Sequence, residues 1–201
     1  MFKKKQERAE PQQNRTWQQS LVIDLKELVY VLAVFMLIYM LFFRVVVVVG
    51  PSMKNTLQDG DRLLLINSVI YNKPKQGDII VAKVDSYSED ECIVKRVIAT
   101  EGQTVDIDFQ KGIVYVDGQE LVEDYTLTST THFEGVKFPV EVTEGHVFVL
   151  GDNRDNSLDS RSPQIGLIDE REILGKAVLL IAPANEPIFS EGFFERFGVI
   201  G

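Results

Sequence analysis

The sequence predicts a mostly β domain, built of coiled sheets or a partial barrel, behind one N-terminal apolar helix. Three observations predict it. Leu28 to Phe43 (LVYVLAVFMLIYMLFF) contains no charged residue. From Val45 onward the chain breaks into short runs rich in Val, Ile and Thr, separated by Asp-Gly, Gln-Gly, Glu-Gly and Lys-Gly pairs. Asp117-Gly118 directly follows the run Ile113-Val114-Tyr115-Val116, a strong signal for a tight hairpin.

Taken in order, residues 1–27 form a polar tail, with residues 1–20 lacking any apolar period and reading as disordered. This tail carries a net charge of +2, whereas residues 50–201 carry −12. Leu28–Phe43 is 16 residues long, about 24 Å as a helix, somewhat short of a hydrocarbon core of roughly 30 Å. Arg44 follows it and can snorkel to an interface. A basic head, an apolar segment and an acidic body predict a membrane anchor over residues 28–44, with the N-terminus cytoplasmic. No small-residue cleavage site follows the segment, so an uncleaved anchor is expected rather than a removed leader. Residues 45–201 then form an extracytoplasmic domain.

Within that domain the expected strands are Val45–Val49, Arg62–Asn67, Asp78–Val84, Cys92–Thr100, Thr104–Phe109, Gly112–Val116, His146–Leu150 and Ile173–Ile181. Residues 119–143 are polar, with few strand signals, and read as a surface excursion. The last segment, Pro187–Gly201, holds Phe189, Phe193, Phe194 and Phe197 and is expected to pack on the body or touch lipid.

Composition excludes several functions. The net charge of −9 gives nucleic-acid binding no electrostatic support. One cysteine, Cys92, closes no intrachain disulfide. With His132 and His146 it gives no metal-site spacing, so no metal and no cofactor are expected. No Walker loop, G-x-G-x-x-G or H-E-x-x-H occurs.

Three stretches carry candidate chemistry. In Gly50-Pro51-Ser52-Met53 a turn presents a serine hydroxyl, a poor nucleophile without a base and an oxyanion site. Lys54 stands where the second Gly of a G-x-S-x-G elbow would be. Neither histidine lies in a recognisable motif, which leaves lysine as a base. In Ile93-Val94-Lys95-Arg96-Val97-Ile98, Lys95 shares a strand face with Ile93 and Val97, and Arg96 shares the other with Val94 and Ile98. A lysine so placed can be desolvated, which lowers its pKa. Holding an ordinary lysine neutral at pH 7 costs roughly 4–5 kcal/mol, so the site must be largely buried. Lys54, two residues from Ser52, is the rival base. The third stretch, Gly151-Asp152-Asn153-Arg154-Asp155-Asn156-Ser157-Leu158-Asp159-Ser160-Arg161, alternates acids and arginines with small polar groups, which suggests a cross-braced loop. It fails as a calcium loop, because Arg154 occupies a ligand position in one register and Ser160 the required Gly in the other.

In this order behind an N-terminal apolar segment, these stretches resemble the bacterial type I signal peptidase (leader peptidase) family over about residues 28–181. Gly50-Pro51-Ser52-Met53 followed by Thr56-Leu57 resembles the nucleophile box, Gly77-Asp78-Ile79 the next box, Lys95-Arg96-Val97 the lysine box and residues 151–161 the last box. The resemblance implies a Ser-Lys dyad, with Ser52 as nucleophile and Lys95 as general base. It implies that Ser157 orients the lysine amine, that Asp159 and Arg161 form a supporting ion pair, and that Asp152 belongs to the same brace. The oxyanion would be held by the Ser52 N–H. Where part of the family has a second serine, this chain has Gly50, so a second donor would be a backbone N–H. The family usually has proline where this chain has Asn55.

The implied substrate is the signal peptide of an exported preprotein, cut after small residues at −1 and −3. Val46, Val48, Val49, Met53, Leu57, Leu63, Val81 and Val94 match the family's shallow apolar pockets, and valine-rich walls admit an alanine methyl while excluding larger side chains. An extended substrate could pair with the strand before Ser52. The expected protein is thus a single-pass, monomeric serine endopeptidase of the cell membrane. The competing readings are a self-cleaving Ser-Lys domain like that of SOS repressors, and an anchored scaffold with a degenerate site.

Overall fold

The computed structural model describes residues 17–84 and 92–200. The chain divides after Met40 into two compact units. The first holds most of helix α1, Trp17–Phe42. Of the expected polar tail, residues 1–16 lie outside the described residues. Trp17–Ser20, expected to be disordered, begin the helix: the stretch from Trp17 to Glu27 has neither Gly nor Pro and holds Gln, Leu, Lys and Glu, which favour helix. At its other end α1 stops at Phe42, so Phe43 and Arg44 leave the expected anchor and enter a strand. The valines that follow are β-branched and find a partner strand, which wins over continuing the helix. The charge-free part of α1, from Leu28 on, is therefore about 22 Å long. Among the described residues no helix is long and apolar enough to cross a membrane. Most large apolar side chains of α1, from Leu21 to Leu41, are exposed.

The second unit is β-rich. Its strands are β1 Phe43–Val47, β2 Arg62–Asn67, β3 Ile79–Lys83, β4 Cys92–Thr100, β5 Thr104–Asp108, β6 Ile113–Val116, β7 Gln119–Glu120, β8 Val140–Glu141, β9 His146–Leu150, β10 Ile168–Asp169, β11 Ile173–Ala182 and β12 Gly198–Val199. Each of the eight expected strands is present, with ends shifted by up to two residues. The large sheet runs β1-β2-β11-β3-β4-β9-β10, with β12 also on β11, and the small one runs β7-β6-β5-β8. All the pairings are antiparallel. Asp117 and Gly118, both at positive φ, form the two-residue turn between β6 and β7.

Alternation along the strands builds the core. In β2, Leu63, Leu65 and Asn67 are buried while the residues between them are less so. In β4, Val94 joins a core cluster with Met53, Leu57 and Leu63, whereas Ile93 and Val97 join a second cluster with Val147 and Val149. A third cluster under the small sheet contains Val105, Val114 and Phe148.

Residues 119–143 are not merely a surface excursion. Their ends are β7 and β8, and Thr130 and Val142 are fully or almost fully buried. Polar composition hid this, because the segment is held by hydrogen bonds rather than by an apolar period. The C-terminal segment forms a short helix α2, Glu191–Arg196, capped by the Ser190 hydroxyl. Phe193 is buried, while Phe189 and Phe194 are exposed. Arg196 pairs with the fully buried Asp61 at 2.5 Å.

Candidate active site

Ser52 opens a helical turn. The Lys54 N–H donates to Pro51 O, and the Thr56 and Leu57 N–H groups donate to Met53 O. Met53 and Leu57, both fully buried, pin the turn to the core. Asn55 sits in it at φ 103°. A proline, locked near φ −65°, could not adopt that backbone, so this turn is shaped differently from one that the family's usual proline would give.

Lys95 is central in the large sheet, on β4 opposite Ile80 of β3. Its residue is 4% exposed, and its Nζ donates to Ser52 Oγ at 2.8 Å and to Val94 O at 3.1 Å. Burial pushes the amine down from 10.5 to about 8, against the opposing pull of Asp159, Asp152 and Glu134 and with help from Arg161. At pH 7 about a tenth of the amine is then neutral. Burial is the largest cause of this depression. Lys54 is exposed, and in a helical turn positions i and i+2 do not share a face. His132 is exposed and pairs with Asp155 at 3.0 Å. His146 contacts Thr143 and Glu144.

The loop at 151–161 carries separate buried ion pairs rather than one brace. Asp159 meets Arg161 at 2.8 and 2.9 Å, and both side chains are fully buried. Asp159 Oδ2 also accepts the Gly151 N–H at 3.0 Å. Asp152 does not join them. It takes the Arg96 guanidinium in a two-pronged contact at 2.9 and 2.8 Å and accepts the Thr56 hydroxyl at 2.5 Å. A short 3-10 helix, Arg154–Asn156, lies between the two aspartates. Asn153 fastens the loop to the nucleophile turn, its N–H on Ser52 O at 3.0 Å and its amide on Pro51 O at 3.1 Å. A Cβ at Gly151 would come within 2.6 Å of Ser52 O and 2.1 Å of Ser157 Oγ, so only glycine permits this approach. Ser157 Oγ is buried without a hydrogen-bond partner. The orienting bond expected from Ser157 to the lysine amine is therefore not formed in this conformation.

Gly50 lies at φ 86°, and its N–H is engaged by Asp59 Oδ1 at 2.8 Å. The Ser52 N–H makes no hydrogen bond among the described residues. Of the expected pocket residues, Val48, Met53, Leu57, Leu63, Val81 and Val94 gather in one core cluster, with Val46 packed against it. Val49 stands apart, 84% exposed. Arg96, Thr56 and Tyr125 belong to the site but were not among the expected site residues. Arg96 had a signal, a second cation on an apolar strand. Thr56 had one too, its place in the box after Ser52, whereas Tyr125 had none that spacing reveals.

In this fold of antiparallel sheets a buried lysine amine meets a serine hydroxyl. The family model described as signal peptidase, peptidase S26, matches residues 22–182. The chain is 35% identical over 169 residues to a signal peptidase I of Bacillus licheniformis, covering 80% of this chain and 88% of that one. It is also 35% identical over 169 residues to signal peptidase I T of Bacillus subtilis strain 168, covering 80% and 85%. A solved signal peptidase I from Enterococcus faecalis V583 aligns with TM-score 0.42 and 30% identity, covering 52% of this chain and 96% of that one. The chain belongs to the signal peptidase family, peptidase S26, and is a serine endopeptidase.

Proposed function

We propose that this chain removes signal peptides from exported preproteins, cutting after small residues at −1 and −3 by a Ser52–Lys95 dyad. The observation that carries the reading is the 2.8 Å contact between the buried Lys95 Nζ and Ser52 Oγ. Neutral Lys95 takes the Ser52 proton as Oγ attacks the scissile carbonyl, and returns it to the leaving amine. Water then hydrolyses the acyl-enzyme, with Lys95 again as base. The Ser52 N–H stabilises the oxyanion. Gly50 cannot serve as the second donor while Asp59 holds its N–H, so Gly50 contributes only its turn. Ser157 becomes the amine's orienting partner once its hydroxyl turns toward Lys95.

The edge position of β1 supports substrate pairing by strand addition. Val46, Val48, Met53, Leu57, Leu63, Val81 and Val94 form the apolar floor that selects small side chains, and Val49 flanks it. The exposed apolar surface of α1 supports attachment to a membrane, with the N-terminus cytoplasmic and the catalytic unit on the other side. Its charge-free part is short, so crossing requires Lys26 and Glu27 to reach the headgroups or the bilayer to thin locally.

The test is processing of a preprotein by the purified full chain and by Ser52→Ala, Lys95→Ala and Lys54→Ala. Loss in the first two and retention in the third is expected. Full activity in Lys95→Ala removes the dyad, and loss in Lys54→Ala alone transfers the base role.

A further inference from the structure

Tyr125 lies in the segment between β7 and β8, far in sequence from both Ser52 and Lys95. Its ring covers the Arg96 guanidinium at 4.0 Å, and its backbone carbonyl accepts the Asn55 amide at 3.0 Å. One residue thus touches the neighbour of Lys95 on β4 and the third residue after Ser52 in the nucleophile turn. Its own position is secured on both sides. The Tyr125 hydroxyl donates to Glu123 at 2.9 Å, Glu123 pairs with the buried Arg154, and the Leu127 N–H donates to Asp152 O at 2.9 Å. Arg96 in turn holds Asp152 and Gly77 O, and Asp152 holds Thr56 in the same turn as Ser52.

Resting on the dyad reading, we infer that Tyr125 is a positioning residue for the reaction: with Asn55 and Arg96 it forms a bracket that sets the placement of Ser52 against Lys95. The physical basis is direct. A guanidinium stacked under an aromatic ring is held in orientation and shielded from water. A turn containing a residue at φ 103° has several alternative conformations, and the Asn55–Tyr125 bond selects one of them. Where the family usually has a proline in this turn, this chain has a hydrogen bond from Asn55 to Tyr125, 70 residues on in the sequence. A displacement of the nucleophile by a fraction of an ångström lowers the rate of the chemical step more than it lowers substrate affinity.

The experiment measures preprotein cleavage by the full chain in detergent, together with titration of the Lys95 side chain by NMR on [13C]lysine-labelled protein, assigned through Lys95→Ala. Tyr125→Leu removes the ring and is expected to lower kcat about tenfold with KM within about twofold. Tyr125→Phe keeps the ring and carbonyl and recovers most of that loss. Asn55→Gly keeps the positive φ but removes the amide, and lowers kcat about threefold. Freeing Arg96 loosens the Asp152 carboxylate that it holds and that favours the charged amine, so the Lys95 titration moves down from about 8 in Tyr125→Leu. The other groups acting on the amine, Asp159, Glu134 and Arg161, make no contact with Tyr125 or Asn55. Unchanged kcat and Lys95 titration in both Tyr125→Leu and Asn55→Gly overturn the inference, as does a loss in KM alone or a Phe variant as impaired as Leu. If Tyr125→Leu does not fold, Asn55→Gly decides. If the wild-type chain cleaves no preprotein, the titration decides the bracket by itself, and the failure falls on the proposed function.

Discussion

Asp159 and Arg161, two residues apart, close a loop upon itself; Asp152 and Arg96, 56 residues apart, join that same loop to β4. Both pairs are buried, both have two-pronged geometry, and both aspartates act on Lys95 with the same sign. Their connections differ. Arg161 is held by its own loop and the neighbouring segment, through Arg154 O at 2.8 Å and Glu134 at 3.0 Å. Arg96 and Asp152 reach the turn that carries Ser52, through Thr56. The local pair shapes the loop and the electrostatics around the amine. The long-range pair joins the turn that carries Ser52 to the strand that carries Lys95. A buried ion pair offers little net stability compared with an apolar replacement, so such pairs are better understood as specifying geometry than as holding the fold.

The comparison is broken most directly by truncating each arginine. Arg96→Ala and Arg161→Ala each leave a buried carboxylate without its partner, and each is expected to destabilise the fold by about 3–5 kcal/mol in urea unfolding. Among folded molecules, Arg96→Ala should lower kcat about a hundredfold, and Arg161→Ala clearly less. Equal kcat losses would erase the proposed division.

A smaller effect separates the pairs by charge. The Asp159 carboxylate favours the charged form of Lys95. Asp159→Asn removes that support, so the amine's pKa falls below about 8 and the acid limb of the kcat/KM–pH profile moves to lower pH. In the wild type, activity should rise with pH through about 8 as the amine loses its proton. A limb that moves upward in Asp159→Asn would contradict the electrostatic role.

Smallest is Thr56→Val, which removes a hydroxyl shared by Asp152 and Arg96 while keeping the shape. A stability loss of about 1 kcal/mol and a few-fold drop in kcat are expected from thermal unfolding and processing assays. A stability loss with kcat unaffected would place Thr56 in the fold alone.

Much of this architecture could be read from residues. Cys92–Thr100 and His146–Leu150 were legible as strands because β-branched runs ended at turn pairs, and Asp117-Gly118 because only two left-handed residues fit so tight a hairpin. Ser52 and Lys95 were legible as a pair through their boxes, and their contact is the one the structure makes. Three things were not legible. The end of α1 at Phe42 depended on β2 being available to pair with the valines. The pairing of Asp152 with Arg96 rather than with the Asp159–Arg161 pair depended on β4 lying beside the start of this loop, a contact across 56 residues of chain. Tyr125 sat in a polar stretch with no period, and its contacts involve a ring face and a backbone carbonyl, which leave no spacing in the chain.

The sequence by itself determined the longer strands, the tight turns and the candidate serine and lysine, because these follow from local backbone preference and from motifs a few residues long. The two-residue strands β7, β8, β10 and β12 left no such signal. Only the tertiary structure decided which acid meets which arginine and how far the amine's pKa falls. It also decided which residues hold the nucleophile turn, because burial and charge pairing depend on groups brought together from distant parts of the chain.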